Sequence, residues 1–278
     1  MAGTGTIINE DFLPVITFCP ANTTISCEAS TLPANTGTAT ATDDCPGVVV
    51  TSTDAIVQGN CVNNYTINRT WKATDNTNDM ATCLQTITVR DITPPTISCP
   101  GNVTVTCASE VPFPNVEGAF MTSDNCGGGV FISFVSDAII NQVCTNRFQV
   151  ARTYRATDAC GNSATCQQTI TVFDNIAPQL NCPAPQTFQC ASDVPAPNPA
   201  LVTSTDNCAG GSTATFVNDV VTNQTCANKF TLTRTYRATD ACGNSATCTQ
   251  VFTVNDNTVP QLTCPAGITV QCASLIPA

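Results

Sequence analysis

RTYRATDACGNSATC occupies residues 152–166 and returns letter for letter at 234–248, 82 positions on. A looser copy, RTWKATDNTNDMATC at 69–83, matches in eight of fifteen positions. A second motif keeps the same period. CP followed by a cysteine eight residues later starts at Cys19, Cys99, Cys182 and Cys264, with spacings of 80, 83 and 82. The triplets DDC, DNC and DNC end at Cys45, Cys126 and Cys208. A fixed period of this length marks a repeat architecture. The repeated fifteen residues therefore read as a module signature, not as a duplicated active site. The expected division is a tail of a preceding repeat at 1–11, full repeats at 12–91, 92–174 and 175–256, and the start of a fourth at 257–278.

Working outward from the signature, RFQVARTYRATD at 147–158 puts Phe148, Val150, Tyr154 and Ala156 on one parity, and 165–174 alternates in the same way. That is the period of a half-buried strand. DACGNS between the two is a turn, with Gly and Asn where positive φ costs little. Pro-rich stretches such as VPAPNPA belong in loops or at edges. No helical period persists. The expected fold is all-β: a tandem array of disulfide-rich, Ig-like β-sandwiches of about 80 residues, each with about seven short strands.

Composition narrows the function. The chain carries 19 cysteines in 278 residues and no histidine. The first implies an oxidising, extracellular setting. The second excludes Ser-His-Asp and Cys-His catalysis and all His-containing zinc sites. A net charge of −11, with nine Lys and Arg, argues against nucleic acid or an anionic membrane as partner. No run is long and apolar enough to span a bilayer, so no membrane insertion is expected of this segment. The N-terminus lacks the basic and apolar regions of a signal peptide, which suggests a mature segment or a piece of a secreted protein. Acidic residues recur in every repeat at loop positions, a poor pattern for a glycosidase carboxylate pair. The expectation is a non-enzyme.

The CP start, the Tyr-x-Ala-Thr-Asp motif, the Gly-Asn turn and the late Cys resemble the hyalin repeat, an Ig-like module. The RTYRATDACGNSATC style is most similar to tandem repeats of giant secreted surface proteins of Bacteroidetes, including SprB-type gliding adhesins exported by type IX secretion. The resemblance implies a structural stalk segment of a cell-surface adhesin, serving surface attachment or gliding motility. Its partners would be neighbouring repeats of the same chain, and an unidentified surface or polysaccharide. Two other readings stay open: a subunit of an ordered extracellular filament, and a carbohydrate-binding array.

An Ig-like topology, with its first and last strands parallel, also implies a disulfide scheme. Cys99 and Cys166 share one end of the sandwich with Cys126 and Cys160, while Cys107 and Cys144 lie toward the other. The expected bridges are Cys99–Cys166, Cys107–Cys144 and Cys126–Cys160, then Cys182–Cys248, Cys190–Cys226 and Cys208–Cys242. The first repeat has Thr77 where the others have Cys160 and Cys242. There the scheme gives Cys19–Cys83 and Cys27–Cys61 and assigns Cys45 as a free thiol. Cys264 and Cys272 are expected to pair outside this stretch.

Arg69, Arg152 and Arg234 share the parity of their apolar neighbours. A buried Arg needs a carboxylate, so each is expected in a structural ion pair with one of the repeating aspartates. The expected cofactor is none, with calcium as the alternative. Asp91, Asp174 and Asp256 at junctions, Asp75, Asp158 and Asp240 before the last turn, and Asp43, Asp124 and Asp206 before the loop cysteine are candidate oxygen ligands for Ca²⁺. The competing reading is that these aspartates cap turns.

Overall fold

The computed structural model describes residues 12–267 and residue 269. The expected tail at 1–11, and residues 268 and 270–278 of the fourth repeat, lie outside the described residues. Each full repeat contributes six strands. The first holds β1 (Val15–Phe18), β2 (Thr23–Ser26), β3 (Thr40–Thr42), β4 (Val49–Gln58), β5 (Tyr65–Thr74) and β6 (Met80–Arg90). The second holds β7 (Thr96–Ser98), β8 (Val103–Val105), β9 (Met121–Ser123), β10 (Val130–Cys144), β11 (Arg147–Asp158) and β12 (Ser163–Phe173). The third holds β13 (Gln179–Asn181), β14 (Gln186–Phe188), β15 (Thr203–Thr205), β16 (Ser212–Cys226), β17 (Lys229–Asp240) and β18 (Ser245–Asn255).

The topology repeats as well. Each repeat has a two-stranded sheet (β1-β3, β7-β9, β13-β15) and a four-stranded sheet (β2-β6-β5-β4, β10-β11-β12-β8, β14-β18-β17-β16). The last strand runs parallel to the second one, β2 beside β6 and β14 beside β18. The count is six rather than seven because the last three strands are long and unbroken, up to 15 residues in β10 and β16.

The alternation of the signature strand is realised as burial. Ile67, Trp71 and Ala73 in β5 face Ile87 and Val89 in the core. Val150, Tyr154 and Ala156 in β11 do so with Ile170 and Val172, and Tyr236 and Ala238 in β17 with Phe252 and Val254. A polar residue joins each core: Gln85, Gln168 and Gln250 are buried and donate to backbone carbonyls of Thr36 (2.6 Å), Gly101 (2.7 Å) and Ala184 (3.1 Å). Gly101 and Ala184 directly follow the CP of their repeats, and Gln85 also reaches the matching Ala21 carbonyl (3.2 Å), so each glutamine ties the last strand to its own CP segment. A buried amide without a partner is costly, so this bond lets a polar side chain sit in the core.

Contacts gather into two compact units. One takes in residues up to Val105, Val111–Gln142 and Phe148–Thr171; the other takes in Thr106–Glu110, Val143–Arg147 and the chain from Val172 onward. The boundary does not follow the repeat boundaries. Two short pieces of the second repeat, one around Cys107 and one around Cys144, belong with the third.

Candidate functional site at the junctions between repeats

Seven disulfides form among the described residues, and they are of two kinds. Cys19–Cys83, Cys99–Cys166 and Cys182–Cys248 close single repeats, with Cα–Cα distances of 6.3, 5.6 and 5.8 Å. They join the residue just after the first strand to the last strand. The other four join one repeat to the next: Cys27–Cys126 and Cys61–Cys160, then Cys107–Cys208 and Cys144–Cys242. Their Cα–Cα distances of 5.8, 5.1, 5.2 and 5.3 Å lie in the normal range for a bridge.

This corrects the expected scheme. Cys27–Cys61, Cys107–Cys144, Cys126–Cys160, Cys190–Cys226 and Cys208–Cys242 do not form. The expected placement put Cys107 and Cys144 at one end of a repeat and Cys126 and Cys160 at the other. It sought partners within the same sandwich, whereas the bonds run across the junction. Cys107 follows β8 and Cys144 ends β10; their partners stand in the loop after β15 and in the β17–β18 turn of the following repeat. Just before Cys144 and Cys226 the chain turns through Asn141 (φ 54°) and Asn223 (φ 56°), left-handed positions that Asn tolerates. In β16 the register with β17 breaks between Thr222 and Cys226.

Cys190, Cys226 and Cys264 carry no bridge among the described residues. Cys190 and Cys226 occupy the positions that Cys27 with Cys61, and Cys107 with Cys144, use to reach the next repeat. Cys45 is exposed, and its N–H donates to the Asp43 carboxylate at 3.4 Å.

The hairpin turn of the signature sits at each junction. Asp158 Oδ1 accepts from the N–H groups of Cys160 (2.8 Å) and Asn162 (2.9 Å), and Gly161 between them takes φ 94°. Asn162 Nδ2 donates to Asp158 Oδ2 (2.8 Å) and to the carbonyl of Asp91 (3.2 Å), at the end of the preceding repeat. The third repeat copies this. Asp240 accepts from Cys242 and Asn244, and Asn244 donates to the Asp174 carbonyl at 3.2 Å. In the first repeat Asp75 holds a similar turn through Thr77 and Asp79, with Asn78 at φ 76° in place of glycine.

The expected calcium ligands gather in part. Carboxylate oxygens of Asp91, Asp124 and Asp158 lie within 4.8 Å of one another, as do those of Asp174, Asp206 and Asp240. Asp124 and Asp206 complete the two groups, through the DNC triplets. Asp256 is exposed and joins no such group among the described residues. Burial and the neighbouring Asp124 and Asp158 carboxylates push the Asp91 carboxyl above its ordinary range.

Arg69, Arg152 and Arg234 are buried, at 2%, 2% and 3% exposure, and each grips one carboxylate with two nitrogens. The partners are Asp54 (2.7 and 2.8 Å), Asp137 (2.8 and 2.8 Å) and Asp219 (2.9 and 2.9 Å). None of these is an aspartate expected for the role; those stand in loops and turns. The actual partners lie on the adjacent antiparallel strand, where Asp54 pairs with Arg69 and Asp219 with Arg234 in register. The third guanidinium nitrogen donates to Thr36 Oγ1, the Pro112 carbonyl or the Pro195 carbonyl. Every guanidinium thus braces a loop against the sheet. The constant offset of 15 residues from Asp to Arg was the available signal.

A family model for the HYR-like domain with four cysteines matches residues 95–172 and 178–254. The chain belongs to this family. Each matched HYR-like span holds six cysteines here, so both kinds of bridge run through it. Among solved structures, the chain is similar to Protocadherin Gamma B2 extracellular cadherin domains 1-5, at 14% identity and TM-score 0.31, covering 91% of this chain and 62% of that one. It is also similar to the Protocadherin GammaB4 extracellular domain, at 15% identity and TM-score 0.34, covering 89% and 50%. Human CDH23 EC21-23 gives 14% identity and TM-score 0.32, covering 87% of this chain and all of that one. The HYR-like chain thus spans half to two-thirds of the length of the first two. No helix among its described residues is long and apolar enough to cross a membrane.

Proposed function

We propose that this chain is a non-catalytic, load-bearing segment of an extracellular adhesin. The observation that supports this best is the pair of disulfides that joins each repeat to the next, in addition to the peptide linker. A domain that only displays a binding site gains nothing from two covalent ties to its neighbour. A segment that transmits force does, because ties between repeats prevent them from separating. The within-repeat bridges add to this by short-circuiting each sandwich. A pull along the chain passes through Cys19–Cys83, Cys99–Cys166 and Cys182–Cys248, leaving only the short stretches between them to extend. Cys190 and Cys226 are then the attachment points for a following repeat. The cell-surface setting, and the finer assignment to a gliding adhesin of Bacteroidetes exported by type IX secretion, rest on the resemblance of the signature.

Single-molecule pulling tests the mechanical part. The oxidised chain should extend to about three-tenths of the length of the reduced chain, at ~3.3–3.6 Å per freed residue. Equal extension with and without reductant would remove the load-bearing reading. Deleting the repeats in the source cell, with secretion of the remainder verified, tests the adhesive part: attachment under flow should fall, and unchanged attachment would oppose it.

One observation favours a second reading, an ordered filament. The long strands β4, β10 and β16 each lie at the edge of their sheet. They expose Ile56, Val57, Phe131, Ile139, Val143, Val220 and Val221. Long apolar edges invite pairing with other chains. Sedimentation at rising concentration separates the two, since a stalk segment stays monomeric and a filament subunit associates.

A further inference from the structure

The carboxylate groups at the two junctions present a problem that hydrogen bonds alone do not solve. Asp91 is 4% exposed, Asp158 4%, Asp174 1% and Asp240 8%. Each group brings three carboxylates together. Among the described residues the three salt bridges all belong to the Arg–Asp pairs within repeats, and none reaches these clusters. At the second cluster the Arg147 guanidinium donates to the backbone carbonyl of Asp174 (3.0 Å), not to a carboxylate. Carboxylates held this close repel one another unless a counter-charge lies between them.

Turn capping accounts for some of the oxygens. Asp158 uses both of its oxygens on Cys160 and Asn162. Asp124 Oδ2 accepts from the Cys126 N–H at 3.0 Å, and Asp91 Oδ1 from the Thr93 N–H at 3.2 Å. Capping leaves others bare. Asp91 Oδ2 and Asp124 Oδ1 are buried with no donor, and so is Asp206 Oδ1 at the second junction. In the first repeat Asp43 Oδ1 and Asp75 Oδ2 are bare in the same way. Buried oxygens without a donor are rare and call for an explanation such as an ion.

We propose that Asp91, Asp124 and Asp158 form one Ca²⁺ site and Asp174, Asp206 and Asp240 a second, each built from two consecutive repeats. The ligand chemistry is that of a hard divalent cation: oxygen donors only, high negative charge and no imidazole. A spread of up to 4.8 Å between oxygens suits a central ion with bonds of about 2.3–2.6 Å, the Ca²⁺ distance. Three carboxylates fall short of the usual six to eight ligands, so carbonyls and water complete the shell. The affinity is correspondingly modest, in the range of about 10⁻⁴–10⁻³ M seen for extracellular modules. The ion would offset two of the three negative charges and bind one repeat to the next beside the disulfides. The inference stands apart from the adhesive role, since it needs only the carboxylates.

Equilibrium dialysis of ⁴⁵Ca²⁺ against the oxidised full chain, stripped with chelator, tests it. Two ions should bind. Asp124→Asn and Asp206→Asn should each remove one ion, and the double variant both. Asn can still accept from the Cys126 or Cys208 N–H, and a non-reducing disulfide map verifies that each variant is folded. Thermal unfolding gives an independent readout: Ca²⁺ should raise the Tm of the native chain and not that of the double variant, which in chelator should match or exceed the native chain. Absence of binding up to about 10 mM Ca²⁺, retention of both ions in the folded double variant, or an equal Tm loss with and without Ca²⁺ would each overturn the proposal.

Discussion

The inside of a repeat and the junction between repeats handle charge in opposite ways. Inside, each buried cation has a matched anion: Arg152 and Asp137 meet through two parallel hydrogen bonds, and a Pro112 carbonyl takes the remaining nitrogen. At the junction, Asp91, Asp124 and Asp158 converge with no salt bridge to them among the described residues, beside the Cys27–Cys126 bridge. The interior is electrostatically complete and needs one disulfide. The junction is electrostatically incomplete and has two. The additional covalent bonds thus stand where the charges lack partners.

The largest effect should come from unbalancing the interior. Asp137→Asn leaves the Arg152 guanidinium buried without its anion, and should cost the second repeat about 2–4 kcal/mol, allowing for the partly exposed partner. Local hydrogen exchange of β10 and β11 reads this directly. A loss spread evenly over all three repeats would show that interior and junction are not separate. Next, the pair Cys107→Ser with Cys208→Ser removes one junction tie and should cost about 2–4 kcal/mol. Here protection should fall around Cys107 and in the 206–211 loop, and not in the β16–β18 sheet. Unchanged protection at the junction would mean that the tie carries no stability.

A smaller effect, about 1–3 kcal/mol, is expected for Gln85→Leu, which leaves the buried Thr36 carbonyl and the Trp71 indole N–H without their partner. Chemical denaturation of the variant against the native chain measures it. The smallest concerns pH. Its hydrogen bond from Arg69 holds the Asp54 carboxyl below the ordinary value of 3.8. A carboxyl depressed on folding stabilises fully above that value and loses its contribution as pH falls through the folded pKa. Asp54 is about a third exposed, so solvent screens the charge and the share that titrates is a fraction of the loss expected for the equivalent Asp137→Asn. The Tm gap between native chain and Asp54→Asn should be constant from pH 7 to 5 and close below about pH 3.8. A gap that widened on acidification would reverse the sign.

The sequence made the interior legible and the junction only half so. The parity of Phe148, Val150, Tyr154 and Ala156 gave the core face of β11, because a strand with one buried face leaves a period of two in the letters. Arg152 on that parity announced a buried pair. Its partner Asp137 was missed because cross-strand register is set by the hairpin, not by any local motif. The junction bridges were opaque for a related reason. Six cysteines fit many connectivities, and nothing in one period says whether Cys107 looks inward or to the next repeat. The separations of 98 to 101 residues, one period plus a constant, are visible only after the pairing is known. The carboxylate groups fell between the two. Asp91, Asp124 and Asp158 all stood out by recurrence, but which of the recurring aspartates converge depends on how one repeat meets the next, and recurrence does not show that.

The central claim is that consecutive repeats are covalently tied. Proteolysis of the unreduced chain followed by mass spectrometry of the linked peptides tests it most directly. The account predicts peptides joining Cys27 to Cys126, Cys61 to Cys160, Cys107 to Cys208 and Cys144 to Cys242. Peptides joining Cys27 to Cys61 and Cys107 to Cys144 would contradict it, and would leave each repeat closed on itself.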